Sequence, residues 1–189
     1  MLMTLLFDVD GVLADTEHLH RQALAEVTHE AGYEVPDTDA RTTLEKLRLA
    51  GVPETELEAL YAKKRSRYEL LVETIPKNPE LGRTMYGLCS RGFRMAACTN
   101  SNRVSATKLL QHLGIFNVFR TLVTSSDVAR GKPSPEIYTL ALERLMCVPH
   151  RAVVFEDSDV GIEAARRAGI VYITRCTTDT LLEELKAWS

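Results

Sequence analysis

The stretch LLFDVDGVLADTEHLH (residues 5–20) places an apolar, strand-like run directly before three aspartates, Asp8, Asp10 and Asp15. One aspartate after a strand often does no more than cap the following turn. Three of them within eight positions indicate a metal site, a catalytic pair or a polar strand end. The stretch alone leaves these three interpretations open.

Short apolar runs and helical patterns alternate along the rest of the chain. Strands are predicted at residues 4–7, 93–98, 121–124, 152–155 and 170–173, and helices at 81–91, 104–113, 135–146 and 161–168. Several strand runs lack polar alternation, as is typical when helices cover both faces of a parallel sheet. We therefore predict an α/β fold with a doubly wound, Rossmann-like parallel sheet, whose ligands bind at the carboxyl ends of the strands.

About 85 residues separate the first predicted strand from the second, far more than one crossover helix needs. Helical patterns occur within this interval at residues 18–31, 42–50 and 54–72. We predict a small helical cap domain at residues 16–78, inserted after the first strand, and a core domain formed by residues 1–15 and 79–189. The basic run at residues 63–67 is interpreted as a solvated helix face.

Polar chemistry also follows the later predicted strands. Thr99 and Asn100 follow the second strand, Lys132 lies in a glycine- and proline-bounded loop after the third, and Glu156 and Asp157 end the fourth. Several carboxylates cannot share one pocket without raised pKa values or a cation. Oxygen ligands without His or Cys suit Mg²⁺, which binds through a few carboxylates and a substrate phosphate. The pattern thus indicates phosphoryl transfer.

The same residues carry a resemblance to a known family. Residues 8–15, DVDGVLAD, resemble motif I (DxDGxLxD) of the haloacid dehalogenase superfamily. Thr99 is similar to motif II, Lys132 in GKPSPEIY to motif III, and FEDSDVGIEAARRAG (155–169) to motif IV. The cap and the segment DTEHLHRQA (15–23) resemble the branch that contains phosphoglycolate phosphatase, CbbY and β-phosphoglucomutase.

The resemblance implies a role for each matching residue. Asp8 would be the nucleophile that forms an aspartyl-phosphate, and Asp10 would be the general acid and base. The implied Mg²⁺ ligands are Asp8, Asp157, Glu156 and the backbone carbonyl of Asp10. The implied phosphate- and substrate-binding residues are Thr99, Asn100, Lys132, Gly11 and His20.

The predicted function is a Mg²⁺-dependent phosphatase acting on a small phosphorylated metabolite, such as a sugar phosphate or phosphoglycolate. A β-phosphoglucomutase-like phosphomutase is an alternative, although the Gly-(Val/Ile)-Ser-Arg segment of those enzymes is not found, and only Arg41 could replace its arginine. A binding or regulatory module without catalysis is a further alternative. A module that had lost catalysis should also have lost Asp8, Asp10 or Lys132, and all three residues are present.

The composition of the chain limits the classes of binding partner that can be expected. The 189 residues have a formal net charge of -3, which predicts neither nucleic-acid nor membrane binding. The apolar run at the N-terminus is too short for a signal peptide, and no stretch approaches the length of a membrane span. The four cysteines contain no CxxC pair, which favours reduced thiols and a cytoplasmic protein. A monomer or a homodimer is expected.

Overall fold

The computed structural model describes residues 3–36 and 42–188. The described residues form two compact units, and the chain passes from one unit to the other after residue 15 and again after residue 75. The smaller unit ends at residue 75 in the structure, three residues before the end at residue 78 that is expected from the sequence. In the described ranges, no helix has the length and apolar character needed to cross a membrane.

The larger unit is built on a five-stranded parallel sheet, which confirms the predicted α/β fold. The order across the sheet is β3-β2-β1-β4-β5. Its strands are β1 (Thr4–Phe7), β2 (Arg94–Cys98), β3 (Thr121–Val123), β4 (Ala152–Glu156) and β5 (Tyr172–Arg175). Its helices are α4 (Pro79–Ser90), α5 (Arg103–His112), α6 (Glu136–Arg144), α7 (Asp159–Arg167) and α8 (Leu181–Lys186).

The strand β1 lies at the centre of the sheet and is buried on both faces. Leu6 belongs to the core cluster formed with α6 and α7. On the other face, the ring of Phe7 stacks on Phe155 with centroids 4.8 Å apart. This two-sided burial explains why residues 5–7 of the strand are all apolar, with no polar alternation.

The central position of β1 also locates the motifs. It pairs in parallel with β2 on one side and β4 on the other, with Phe7 opposite both Ala97 and Phe155. The carboxyl ends of these three strands therefore lie side by side. Asp8, Thr99 and Glu156, which are far apart in sequence, are brought to one edge of the sheet by this register.

The smaller unit consists of α1 (Glu17–Glu30), α2 (Thr43–Leu49) and α3 (Glu54–Leu71). Their shared core contains Leu24, Val27, Leu47, Val52, Leu57 and Leu60. Arg67 on α3 forms ion pairs with Glu26 and Glu30 on α1. Lys64 is buried among these helices, so the interpretation of the whole basic run as a solvated face was wrong for this residue.

Candidate active site

A buried ammonium group joins two carboxylates at the carboxyl edge of the sheet. Lys132 Nζ donates to Asp8 Oδ1 at 2.5 Å, to Glu156 Oε1 at 2.5 Å and to the carbonyl oxygen of Cys98 at 2.9 Å. The side chains of Lys132 and Asp8 are only 4% and 9% exposed, and that of Glu156 is fully buried. All three donor positions of the ammonium group are therefore in use.

The Glu156 carboxylate accepts hydrogen bonds on both of its oxygens. Besides Lys132, the hydroxyl of Tyr138 donates to Oε1 at 2.7 Å. The amide N–H and the hydroxyl of Ser158 donate to Oε2 at 3.3 and 3.1 Å. Four donors fill the lone-pair positions of a carboxylate, so Glu156 could coordinate a metal ion only by releasing one of them. Sequence reasoning missed Tyr138, because its ring reads as an ordinary core residue of α6.

Burial and charge set the protonation of the cluster. Burial raises the pKa of Asp8 well above its usual range, Lys132 opposes this effect, and Glu156 and Asp10 add to it. Burial also acts to lower the pKa of Lys132, but Asp8 and Glu156 raise it above its ordinary value. For Glu156, burial is outweighed by Lys132, so its pKa is lowered. The charged forms of Lys132 and Glu156 are thus favoured, whereas burial opposes the charged form of Asp8 and the ammonium group of Lys132 supports it.

The site has an excess of negative charge that fits a cation. Asp8, Glu156 and Asp157 each offer an oxygen, and these atoms all lie within 4.8 Å of one another. Burial, followed by the charge of Glu156, raises the pKa of Asp157. Asp8, Glu156 and Asp157 lie close to the ammonium group of Lys132, and a cation bound there would favour the charged forms of Asp8 and Asp157. The donor set, which contains only oxygen, fits a hard divalent ion.

Two glycines leave room for these carboxylates. Gly11 has a φ of +90°, and a Cβ added there would lie 2.1 Å from Asp157 Oδ2. A Cβ on Gly161 would lie 1.7 Å from Glu156 Oε1. The amide N–H of Gly11 itself donates to the carbonyl oxygen of Ala14 at 2.8 Å. In the structure, Gly11 thus gives space to a carboxylate, while its predicted contact with substrate stays a prediction.

The carboxylate of Asp10 is held by two hydroxyl groups. Thr99 Oγ1 and Ser101 Oγ donate to Asp10 Oδ2 at 2.9 and 2.8 Å. The predicted phosphate ligand Thr99 and the predicted acid Asp10 are therefore direct neighbours. Ser101 was not among the predicted site residues, although its place two residues after Thr99, before α5, was a usable signal.

The side chain of Asn100 holds the loop of Lys132. Its Oδ1 accepts from the Lys132 amide at 2.8 Å, and its Nδ2 donates to the Lys132 carbonyl at 3.2 Å. This pair of bonds fixes the backbone from which the ammonium group reaches Asp8. The side-chain amide predicted to bind phosphate is thus engaged elsewhere in the structure.

Two backbone donors lie beside the cluster without a partner. Among residues 3–36 and 42–188, no hydrogen bond is made by the N–H of Val9 or by that of Asn100. Val9 follows Asp8 at the end of β1, and Asn100 follows Thr99 at the end of the adjacent β2. Unpaired N–H groups at a strand edge form a place for an anion.

His20 lies on α1 in the smaller unit. Its ring stacks on Tyr68 with centroids 4.0 Å apart, and Lys64 Nζ lies 2.7 Å from its Nδ1. Its predicted role at the substrate stays a prediction. Arg41, the residue considered for the phosphomutase alternative, lies outside the described residues.

Residues 2–169 match the family model described as haloacid dehalogenase-like hydrolase. The chain belongs to this family. The hydrolase is 37% identical to a phosphorylated carbohydrates phosphatase of Thermotoga maritima, over 87% of this chain and 81% of that protein. It is 27% identical to a β-phosphoglucomutase of Bacillus subtilis, over 89% and 81% of the two chains. The crystal structure of CbbY from Rhodobacter sphaeroides in complex with phosphate superposes with a TM-score of 0.77 at 29% identity, over 94% of this hydrolase and 88% of that chain.

These relatives agree with the predicted enzyme class. The prediction of a haloacid dehalogenase superfamily member is confirmed, and the phosphatase among the relatives bears out a phosphoric monoester hydrolase. The alternative of a non-catalytic module has no support in these names.

Proposed function

We propose that the hydrolase is a Mg²⁺-dependent phosphatase that acts on a small phosphorylated metabolite of the sugar phosphate or phosphoglycolate type. The observation that carries the proposal is the buried pairing of Asp8 with Lys132 at the carboxyl edge of the sheet. The sugar phosphate class is favoured because the 37% identical relative is a phosphatase of phosphorylated carbohydrates.

Asp8 is the nucleophile of the proposed reaction. One of its carboxylate oxygens forms a bond to phosphorus while the bond from phosphorus to the alkoxide oxygen of the substrate breaks. The product is an aspartyl-phosphate, which water then hydrolyses. Lys132 holds the Asp8 carboxylate in a fixed position and contributes a positive charge beside the transferring group.

Asp10 moves the proton in both half-reactions. In the first, its proton passes to the departing alkoxide oxygen, so that an alcohol and the Asp10 carboxylate are left. In the second, the carboxylate takes a proton from the attacking water. In the structure, the hydroxyls of Thr99 and Ser101 both donate to Oδ2 of Asp10.

The phosphoryl oxygens are bound by backbone and side-chain donors in this proposal. The unpaired N–H groups of Val9 and Asn100 and the hydroxyl of Thr99 are donors at adjacent strand ends. Such prearranged donors stabilise the charge of the transferring group without reorganisation.

Asp8 and Asp157, with Glu156 and the backbone carbonyl of Asp10, would hold the Mg²⁺. When bound, the ion screens the repulsion between the carboxylate nucleophile and the anionic phosphate and stabilises charge on the transferring group.

The first prediction tests the nucleophile. Asp8→Asn removes the attacking oxygen charge, so hydrolysis of p-nitrophenyl phosphate should fall by at least about 10³-fold, while the wild type should lose activity in excess EDTA. The readout is the release of p-nitrophenolate, with circular dichroism as the control for folding. Turnover that persists in Asp8→Asn, or in EDTA, would refute the mechanism.

A substrate panel separates the phosphatase from the phosphomutase. The purified enzyme is assayed for phosphate release from hexose phosphates, pentose phosphates and phosphoglycolate, and for conversion of glucose 1-phosphate to glucose 6-phosphate. Phosphate release from at least one metabolite, without interconversion, is the expected result. Efficient interconversion with little phosphate release would establish the mutase instead.

A further inference from the structure

Ser101 is hydrogen-bonded both to Asp10, the proposed acid, and to Thr99, a proposed phosphoryl ligand. Its hydroxyl donates to Asp10 Oδ2 at 2.8 Å, and its amide N–H donates to Thr99 Oγ1 at 2.8 Å. Thr99 Oγ1 in turn donates to the same oxygen of Asp10 at 2.9 Å. The three residues therefore form a closed ring of hydrogen bonds next to the end of β2.

A threonine hydroxyl has one proton and cannot serve two acceptors at full strength. Thr99 gives this proton to Asp10 in the structure, yet the proposed function requires it to donate to a phosphoryl oxygen. When the Thr99 hydroxyl donates its hydrogen bond to a phosphoryl oxygen instead, Asp10 Oδ2 no longer accepts from Thr99. The Ser101 amide still donates to Thr99 Oγ1, so the Thr99 oxygen stays in place while its proton turns toward the substrate.

The hydroxyl of Ser101, unlike that of Thr99, is not required to donate to the phosphoryl group in the proposed function. Its hydroxyl proton is committed to Asp10 Oδ2, and its carbonyl oxygen accepts from the amide and hydroxyl of Ser125, which fixes the Ser101 backbone. The side chain is thus held in the orientation that Asp10 needs, whether or not Thr99 donates to it.

We propose that Ser101 is a positioning residue that holds the Asp10 carboxyl group in place for proton transfer to the leaving oxygen while Thr99 binds the phosphoryl group. This inference rests on the proposed function, in which Asp10 is the acid. Ser101 acts through Asp10 and makes no bond to the reacting atoms.

The test compares two substrates of nearly the same shape. Phenyl phosphate releases a more basic oxygen than p-nitrophenyl phosphate and depends more strongly on a positioned acid. For Ser101→Ala, kcat/KM should fall about tenfold on phenyl phosphate and less than about threefold on p-nitrophenyl phosphate. Ser101→Thr, which keeps the hydroxyl, should restore most of the loss. Ser90→Ala, which alters an exposed serine of α4, should leave both substrates unaffected.

A second measurement excludes a general effect on folding. In an Asp10→Ala background, Ser101→Ala should reduce kcat/KM by less than about twofold, because residues that act as one unit are not additive. Equal losses on both substrates, failure of Ser101→Thr to recover activity, or a further tenfold loss in the Asp10→Ala background would overturn the inference.

Failure of this inference differs from failure of the proposed function. If Asp8→Asn retains turnover, the phosphatase mechanism itself is wrong. If Asp8 is essential and Ser101→Ala behaves like the wild type on phenyl phosphate, only the positioning role is lost.

Discussion

At the scale of single residues, the hydroxyl oxygen of Tyr138 makes a hydrogen bond that the packing of its ring does not require. Its ring is fully buried in α6, where a phenylalanine would occupy nearly the same volume. Its hydroxyl, however, is one of the two donors to Glu156 Oε1, and the other is Lys132 Nζ. The phenol and the ammonium group thus replace the hydrogen bonds with water that the Glu156 carboxylate loses on burial.

At this scale we predict that Tyr138→Phe destabilises the protein without unfolding it. A hydrogen bond to a buried charged group contributes about 2 kcal/mol to the free energy of unfolding. The melting temperature should therefore fall by about 6 °C, measured by circular dichroism or calorimetry. Tyr86→Phe removes the same atom from a half-exposed tyrosine of α4 and should leave the melting temperature unchanged. An equal melting temperature for Tyr138→Phe and wild type would contradict the assigned role.

At the scale of elements, one carboxylate joins the end of β3 to two helices. Asp127 accepts from Arg103 at the start of α5 and from Arg144 at the end of α6. It also accepts from the amide and hydroxyl of Thr124. Burial acts to raise the pKa of Asp127, but the hydrogen bonds from Arg103 and Thr124 outweigh it, and the pKa is lowered. Arg103, whose position after Thr99 is also compatible with a substrate contact, is thus occupied in holding the fold.

The lowered pKa sets the sign of a pH dependence. A carboxylate whose pKa is lower in the folded than in the unfolded state stabilises the protein above the unfolded value, and this contribution is lost as pH falls through the folded value. Asp127→Asn should therefore reduce the free energy of unfolding by about 1–2 kcal/mol at pH 7. The difference from wild type should stay constant down to about pH 4 and shrink below it.

Urea unfolding at pH 7, 5 and 3 measures this difference, and Asp179→Asn, at an exposed loop position, serves as the control. A difference between wild type and Asp127→Asn that grows toward pH 3 would have the wrong sign for a lowered pKa and would reject the account.

At the scale of the whole molecule, the larger unit carries an unbalanced cluster of charges at the carboxyl edge of its sheet. Asp8, Glu156 and Asp157 lie close together beside Lys132, and burial raises the pKa of both aspartates. A divalent cation that binds only the folded chain would remove this imbalance. The melting temperature of the entire protein should then depend on the metal concentration.

We predict that Mg²⁺ raises the melting temperature of the wild type. At about a hundredfold excess over the dissociation constant, the stabilisation is about 2.7 kcal/mol, which corresponds to about 8 °C. EDTA should reverse the shift. Asp157→Asn, which removes one of the predicted ligands, should abolish it, whereas Asp179→Asn should retain it. A wild-type melting temperature that is the same in Mg²⁺ and EDTA would count against the metal site.

The sequence by itself predicted the first four strands to within one residue at each end, but it placed the last strand at residues 170–173, whereas β5 spans Tyr172–Arg175. The roles of the site residues stay predictions. The apolar run before Asp8 predicts a buried strand because helices cover both of its faces, and it forms β1 at residues 4–7 as predicted. Acids and small polar residues at successive strand ends predict convergence because parallel strands share one carboxyl edge. These inferences need only local patterns and one topological rule.

Only the tertiary structure decided which atoms meet. The hydrogen bonds from Lys132 to Glu156, from Tyr138 to Glu156 and from Ser101 to Asp10 join positions 18–91 residues apart. Motif positions mark Asp10, Lys132 and Glu156 as site residues, but they do not say which atoms pair, and Tyr138 has the pattern of an ordinary core residue. Donor and acceptor pairing depends on distances of a few tenths of an ångström, and those distances are set by strand register and by packing over the whole chain.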